Sequence, residues 1–254
     1  MSLSYKRLRL FFVFVLFAFI TNAQQTHINI EIPAHQPYEK LISHAGYTLS
    51  YNEKYEQANW VAYELTSAET NSIYNRTNQF LIDPKISTGS AQNSDYAGSG
   101  YDRGHLAPAG DMGWSAQSMI ESFYYSNMSP QVPSFNRGIW KNAESFTREA
   151  AITNQTVYVV TGPVFTSNMT SIGPNKVAVP QSYFKIVLDY TEPVLKAIAF
   201  VIPNAGSQLP LQNFAVTINE VEQLTGLDFF PLLPDQEESI LESKFDISLW
   251  NWQN

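Results

Sequence analysis

The 254-residue sequence predicts an α+β fold, with a mixed, mainly antiparallel sheet flanked by helices, on three observations. Residues 46–66 carry two aromatic and β-branched stretches around a polar turn, which reads as a hairpin. Residues 156–164, 177–179, 183–188 and 194–202 add further β-prone runs, the first stopped by Gly162-Pro163. Helical spacing occupies 112–125, through Met112, Ala116, Met119 and Phe123, and a second stretch over 135–152. Long helices interspersed with antiparallel-looking strands place the chain in the α+β class. At 44% hydrophobic and 15% charged, the composition supplies one substantial core.

The remaining segments follow from local chemistry. Lys6, Arg7 and Arg9 precede an apolar run over 10–20 and a small residue, Ala23, the order of a secretory signal peptide. The run is about half the ~20 residues that a bilayer span needs. Residues 1–23 are therefore expected to be removed, with the product secreted or periplasmic and no stable membrane association. The expected domain is 24–254, without an internal boundary. Residues 24–40 read as an extended lead-in, and the Ser-, Gly- and Asn-rich 87–101 as a mobile loop. Residues 214–224 read as a strand running into a helix that ends at Gly226. The final twenty residues, 235–254, form an acidic tail with Trp250 and Trp252, which can dock it or mark a partner surface.

Cysteine is absent, which excludes zinc–thiolate sites and cysteine nucleophiles. Charge runs against a polyanion partner. Without Lys6, Arg7 and Arg9 the chain has 12 Lys and Arg against 23 Asp and Glu, a net charge of −11. A nucleic-acid binder normally carries a basic footprint. Six of the 12 bases fall between positions 76 and 148, where the acids also number six, so that window is neutral.

The chemistry-bearing segment is 101–112 (YDRGHLAPAGDM). Beside Arg103, a neutral His105 can take a proton from water while the guanidinium forks onto phosphate oxygens. The same tetrapeptide admits a packed histidine and an ordinary Asp102–Arg103 surface pair. Farther on stand Asn127-Met128-Ser129-Pro130-Gln131 and Phe135-Asn136-Arg137-Gly138-Ile139-Trp140, with Glu144 beyond. If 135–152 is one helix, Asn136, Trp140 and Glu144 share a face, drifting ~40° per step. An amide oxygen and a carboxylate there suit a hard cation such as Mg²⁺. They equally suit a helix cap and a solvated glutamate. His27, His35 and His44 have no metal-ligand spacing, and Asp111 suits loop support.

The ordered set DRGH, NMSPQ and FNRGIWKNAE resembles the DNA/RNA non-specific endonuclease family of ββα-metal (His-Me finger) nucleases. The likeness takes in Tyr74-Asn75-Arg76 with Phe80 and Asp83-Pro84 upstream. Downstream it takes in VYVVTGPVF, Val179-Pro180 with Phe184-Lys185, and EQLTGLDFF, so that it spans about 40–235. It implies a ββα-metal finger core in which His105 is the general base and Arg103 and Arg76 act on the substrate phosphate. Asn136 would be the direct Mg²⁺ ligand (Mn²⁺ as a substitute), Glu144 would hold metal-bound water, and Asn127 would position the histidine or the phosphate. Gln131 joins the arginines as a substrate-binding candidate. The lack of cysteines departs from many secreted relatives and removes their disulfides. The implied activity is Mg²⁺-dependent hydrolysis of DNA and RNA to 5′-phosphate ends with little sequence discrimination. Its rivals are a binding protein of the same fold without turnover and a narrower phosphodiesterase.

Overall fold

Alternation along the central strands explains why the chain builds a layered sheet. The computed structural model describes residues 29–252 apart from 36 and 38; the segment expected to be a signal peptide and His27 lie outside the described residues. Strands β1 (Leu41–Ser43), β2 (Thr48–Asn52), β3 (Gln57–Thr66), β6 (Thr156–Val164), β9 (Ser182–Asp189), β10 (Lys196–Pro203) and β11 (Ala215–Val216) form one sheet. Its order is β1-β2-β3-β6-β9-β10-β11. Every strand pair in it is antiparallel, so the expected mixed sheet is antiparallel throughout. Val61, Tyr63 and Leu65 of β3, with Val157 and Val159 of β6, enter one apolar cluster. Their neighbours Trp60, Ala62 and Val160 enter a second cluster on the opposite face. A strand with a period of two that is buried on both faces needs a cover on each side.

Helix α3 (Lys141–Asn154) covers the first face through Ala143, Phe146, Ala150 and Ala151. Helices α4 (Ile218–Thr225) and α5 (Asp235–Ser243) cover the second through Ile218, Val221 and Leu241. As the sequence implies, α4 follows β11 and stops at Gly226, whose φ of 72° is the left-handed cap that glycine adopts without a Cβ clash. The tail does not hang free: Trp252 stacks on Phe146 at 4.7 Å, and Trp250 is buried beside it.

Three elements differ from the sequence reading. The helix expected over 112–125 is only α2 (Ala116–Glu121). Its C-terminal continuation is diverted because Leu81 takes the backbone of Phe123 and Tyr125 (3.1 and 2.9 Å) in place of helical partners. The helix expected over 135–152 is a wide turn, Phe135–Trp140, that leaves helical geometry at Gly138 before α3 begins. Strand β6 runs through Gly162-Pro163 to Val164. Proline is tolerated there because β3 pairing has already ended at Val61 opposite Thr161, so no ladder bond on that side is lost. Among the described residues, no helix is long and apolar enough to cross a membrane.

The 87–101 loop holds one short helix, α1 (Asn93–Tyr96), and leads into β4 (Asp102–His105), which pairs antiparallel with β5 (Met128–Gln131). A second small ribbon joins β7 (Ser171–Ile172) to β8 (Val177–Ala178). Ribbon β4–β5 followed by α3 forms a ββα unit on the first sheet face, and this unit positions the site.

Candidate active site

The β4–β5 ribbon is fastened to the sheet by buried polar groups. The Ser129 hydroxyl meets the Gln57 side chain and the Tyr183 hydroxyl. Tyr183 donates to the Pro130 carbonyl (2.8 Å), and Asn204 bonds both Pro130 and Val132. Registration pairs Gly104 with Ser129 and His105 with Met128. The Gln131 side chain crosses over Gly104, and a Cβ at position 104 would lie 2.1 Å from its Cδ. The glycine of DRGH is therefore a packing requirement. Gln131 is 0% exposed and does not reach the cleft, which corrects its sequence-based assignment to substrate binding.

Gly104→Ala is expected to lower stability by about 1–3 kcal/mol through this overlap. Gln131→Ala in the same chain should restore much of the loss. Thermal unfolding of the single and double variants checks it, and an additive double variant would refute the contact.

Strand alternation sends Arg103 and His105 to the same side. His105 is 6% exposed and lies at the base of a cleft of ≈ 610 Å³. Its ring meets Phe123 edge-on at 4.8 Å and Phe80 at 6.0 Å, and Nε2 is buried without a hydrogen-bond partner. Burial, aided by the Arg76 charge, pushes the imidazole down to about 3. A neutral imidazole accepts a proton, so the ring is poised as a base.

Arg103 lies over Phe80 and Tyr96 and bonds Asn93 and Tyr125. It does not pair with Asp102. Asp102 instead accepts both Nε and a terminal nitrogen of Arg137 (2.9 and 2.7 Å) and the Asn136 Nδ2 (2.9 Å). That last bond occupies the amide nitrogen of Asn136 and leaves its oxygen as the free acceptor. Arg76 is held by Asn78 (2.8 Å) and lies over Phe123.

Asn127 plays a different part from phosphate contact. Its oxygen accepts from Ala107 N (2.9 Å), and its amide donates to the carbonyls of Ala107 and Ser122. With all three bonds made to backbone it fixes the chain just beyond His105, and it is absent from the cleft wall.

Glu144 lines the cleft from the first turn of α3. Burial holds its carboxyl above the usual range, opposed by the Lys185 charge. Lys185 is itself fully buried, with its ammonium 4.9 Å from the Trp140 ring centroid and burial pushing it down. Trp140 does not share the cleft face with Asn136 and Glu144, as a continuous helix would require. The break at Gly138 turns it inward, where its Nε1 donates to the His105 carbonyl (3.3 Å). The oriented amide oxygen of Asn136 and the Glu144 carboxylate nonetheless face one cleft. This all-oxygen pair fits a hard divalent cation and offers no soft ligand.

The cleft wall also holds residues that the sequence reading passed over. Arg137, Lys141 and Arg148 join Arg76 and Arg103, so five cations face two carboxylates, Asp102 and Glu144. The signal was present in α3, where 141, 144 and 148 recur at helical spacing. The other four acids of the neutral window, Asp83, Asp95, Asp111 and Glu121, are buried. Asp83 bonds His44 and Ser126, and Asp111 bonds Tyr63 and Arg148. The acidic protein thus presents a basic cleft.

Residues 26–236 match the family model for the DNA/RNA non-specific endonuclease. The chain belongs to that family. It is 37% identical over 207 residues to the mitochondrial Endonuclease G of Bos taurus, covering 76% of this chain and 69% of that one. It is 38% identical over 233 residues to a nuclease of Syncephalastrum racemosum, covering 82% and 72%. Against the mitochondrial Nuclease EXOG of Danio rerio identity is 38%, and the chain spans 63% of that protein's length. A solved chain of the EndoG/EndoGI complex superposes with a TM-score of 0.76 at 33% identity, covering 82% of this chain and 91% of that one. Like other members of this nuclease family, the protein is an endonuclease acting on nucleic acids, and its α+β architecture is the family's.

Proposed function

We propose that this nuclease hydrolyses DNA and RNA with little sequence discrimination, leaving 5′-phosphate ends, with Mg²⁺ as its cofactor and Mn²⁺ as a substitute. The observation that carries this reading is a buried, neutral His105 in the same basic cleft as Asn136 and Glu144. His105 takes the proton of a water attacking phosphorus. Arg76 and Arg103 stabilise the charge that builds on the phosphoryl oxygens. Asn136 and Glu144 would hold the metal, with Asp102 fixing the Asn136 amide. When bound, the metal supplies charge neutralisation for the leaving 3′-oxygen. Contacts made to phosphate carry no base information, hence the low discrimination.

Digestion of single- and double-stranded DNA and RNA with Mg²⁺, and again with EDTA, tests the proposal. All four substrates should be cut, and only with metal. Cleavage in EDTA, or 3′-phosphate ends, would overturn it. Export after cleavage near Ala23 is part of the same proposal, supported by the basic and apolar order of residues 6–23. N-terminal sequencing of the product released by the cell should begin at Gln24.

The pH profile separates the two titrating groups. His105 stays neutral down to about 3, so it does not set the acid limb near neutrality. Glu144 is raised by burial, takes a proton above the usual carboxylate range, and in that form cannot hold a cation. Activity should fall with pH at limiting Mg²⁺, and higher Mg²⁺ should move the fall to lower pH because metal and proton compete. A limb that ignores the metal concentration would refute this assignment.

A further inference from the structure

On the sheet face opposite the catalytic cleft, three carboxylates from three segments converge. Glu222 lies on α4, Asp228 in the loop that follows, and Glu242 on α5. One oxygen from each lies within 4.8 Å of the others. A surface cluster of acids is common and means little by itself. Here Glu242 is only 8% exposed, and its Oε1 is buried without a hydrogen-bond partner. Withdrawing a carboxylate from water without a partner is strongly unfavourable, so such groups are ordinarily paired or metal-bound.

The charges acting on Glu242 are Glu222, Glu238 and Asp228, all of the same sign. Among the described residues, none of the three clustered carboxylates forms an ion pair. Burial and these neighbours push the Glu242 carboxyl up to about 8. The geometry is nevertheless well held. Glu222 Oε1 accepts from Phe229 N (3.0 Å), and the Asp228 carbonyl accepts from Ala34 N (2.8 Å). Phe229, Phe230 and Leu241 are packed into the second apolar cluster, which fixes both ends of the arrangement.

We infer that Glu222, Asp228 and Glu242 form a second, structural divalent-cation site, suited to Ca²⁺, that staples α5 to α4 and the loop between them. The donors are all hard oxygens. Ca²⁺ takes ligands at about 2.3–2.6 Å, so oxygens on its sphere are at most about 5 Å apart, as these are. It also accepts irregular sets of six to eight ligands, and exposed Asp228 leaves one side open for water. Mg²⁺ demands a tighter octahedron and keeps its own waters. The ion would satisfy the orphaned Glu242 oxygen and cancel the like-charge repulsion together.

The test uses the full chain carrying Asn136→Ala, which silences the catalytic metal position, after EDTA treatment and dialysis. Thermal unfolding is followed from zero to about 10 mM CaCl₂, and calorimetric titration counts the sites. Binding in the range of about 10⁻⁴ M should raise the midpoint by about 5 °C, with one Ca²⁺ bound. Adding Asp228→Asn, an exposed and isosteric change, or Glu242→Gln should abolish that response. The same two substitutions in the otherwise wild-type chain should leave Mg²⁺-dependent DNA cleavage unchanged. A midpoint indifferent to Ca²⁺ would mean that a proton satisfies Glu242, and would overturn the site. A Ca²⁺ shift that survives both substitutions would overturn it equally.

Discussion

His105→Ala should slow plasmid cleavage by at least ~10²–10⁴-fold, the span that a positioned general base contributes. Folding should survive the change. The ring makes edge contacts with Phe123 and Phe80, but its Nε2 has no hydrogen bond to lose. The surrounding frame is also built from other groups, chiefly Asn127 on the Ala107 backbone and Trp140 on the residue 105 carbonyl. Binding to DNA should persist because the five cations of the cleft are untouched.

A second readout is specific to the buried ring. Its value is depressed from 6.5 to about 3 on folding, so the unfolded chain takes up the proton first as pH falls. The wild type therefore holds this contribution in full above 6.5 and loses it progressively between 6.5 and 3, by up to a few kcal/mol. His105→Ala should lack that component of acid destabilisation. Cleavage by the variant at the wild-type rate would remove His105 from the mechanism, whatever its stability.

Asn136→Ala should act through the metal. Loss of this amide oxygen is expected to raise the Mg²⁺ concentration for half-maximal cleavage by at least ~10–100-fold, the cost already seen for groups one shell farther from a metal. Excess Mg²⁺ should recover part of the rate, whereas it should recover none for His105→Ala. Asp102→Asn should give a smaller shift of the same kind, since the Asn136 amide would lose its carboxylate acceptor while Arg137 also loses its bidentate partner. Rates measured across a Mg²⁺ titration check the order. An unchanged metal requirement in Asn136→Ala would remove that residue from the metal position.

How much of this was legible in advance varies with the range of the interactions involved. Strands β2, β3, β6, β9 and β10 and the α4 stop at Gly226 were readable because period-two burial, turn chemistry and a left-handed cap act over a few residues. The break at Gly138 was not. It is set by partners about 35 residues away, Asp102 for Asn136 and Arg137 and the His105 carbonyl for Trp140. Gln131 was misjudged for the same reason, and of the two parts open to Asn127 only these long-range contacts select the one that holds the chain beside His105. Both are polar residues of one motif, yet one is buried across Gly104 and the other is saturated by backbone.

The sequence by itself determined the α+β class, the family, and which histidine, asparagine and glutamate stand at the site. Ordered motifs and local periodicity are properties of the chain alone. Charge was decided only by the tertiary structure. A segment with six acids and six bases is neutral on paper. Folding buries four of the acids in hydrogen-bonded positions and turns five of the bases toward one cleft. Electrostatic potential depends on where charges come to rest and how far water screens them, so a net count along the chain could not show a basic cleft on an acidic protein.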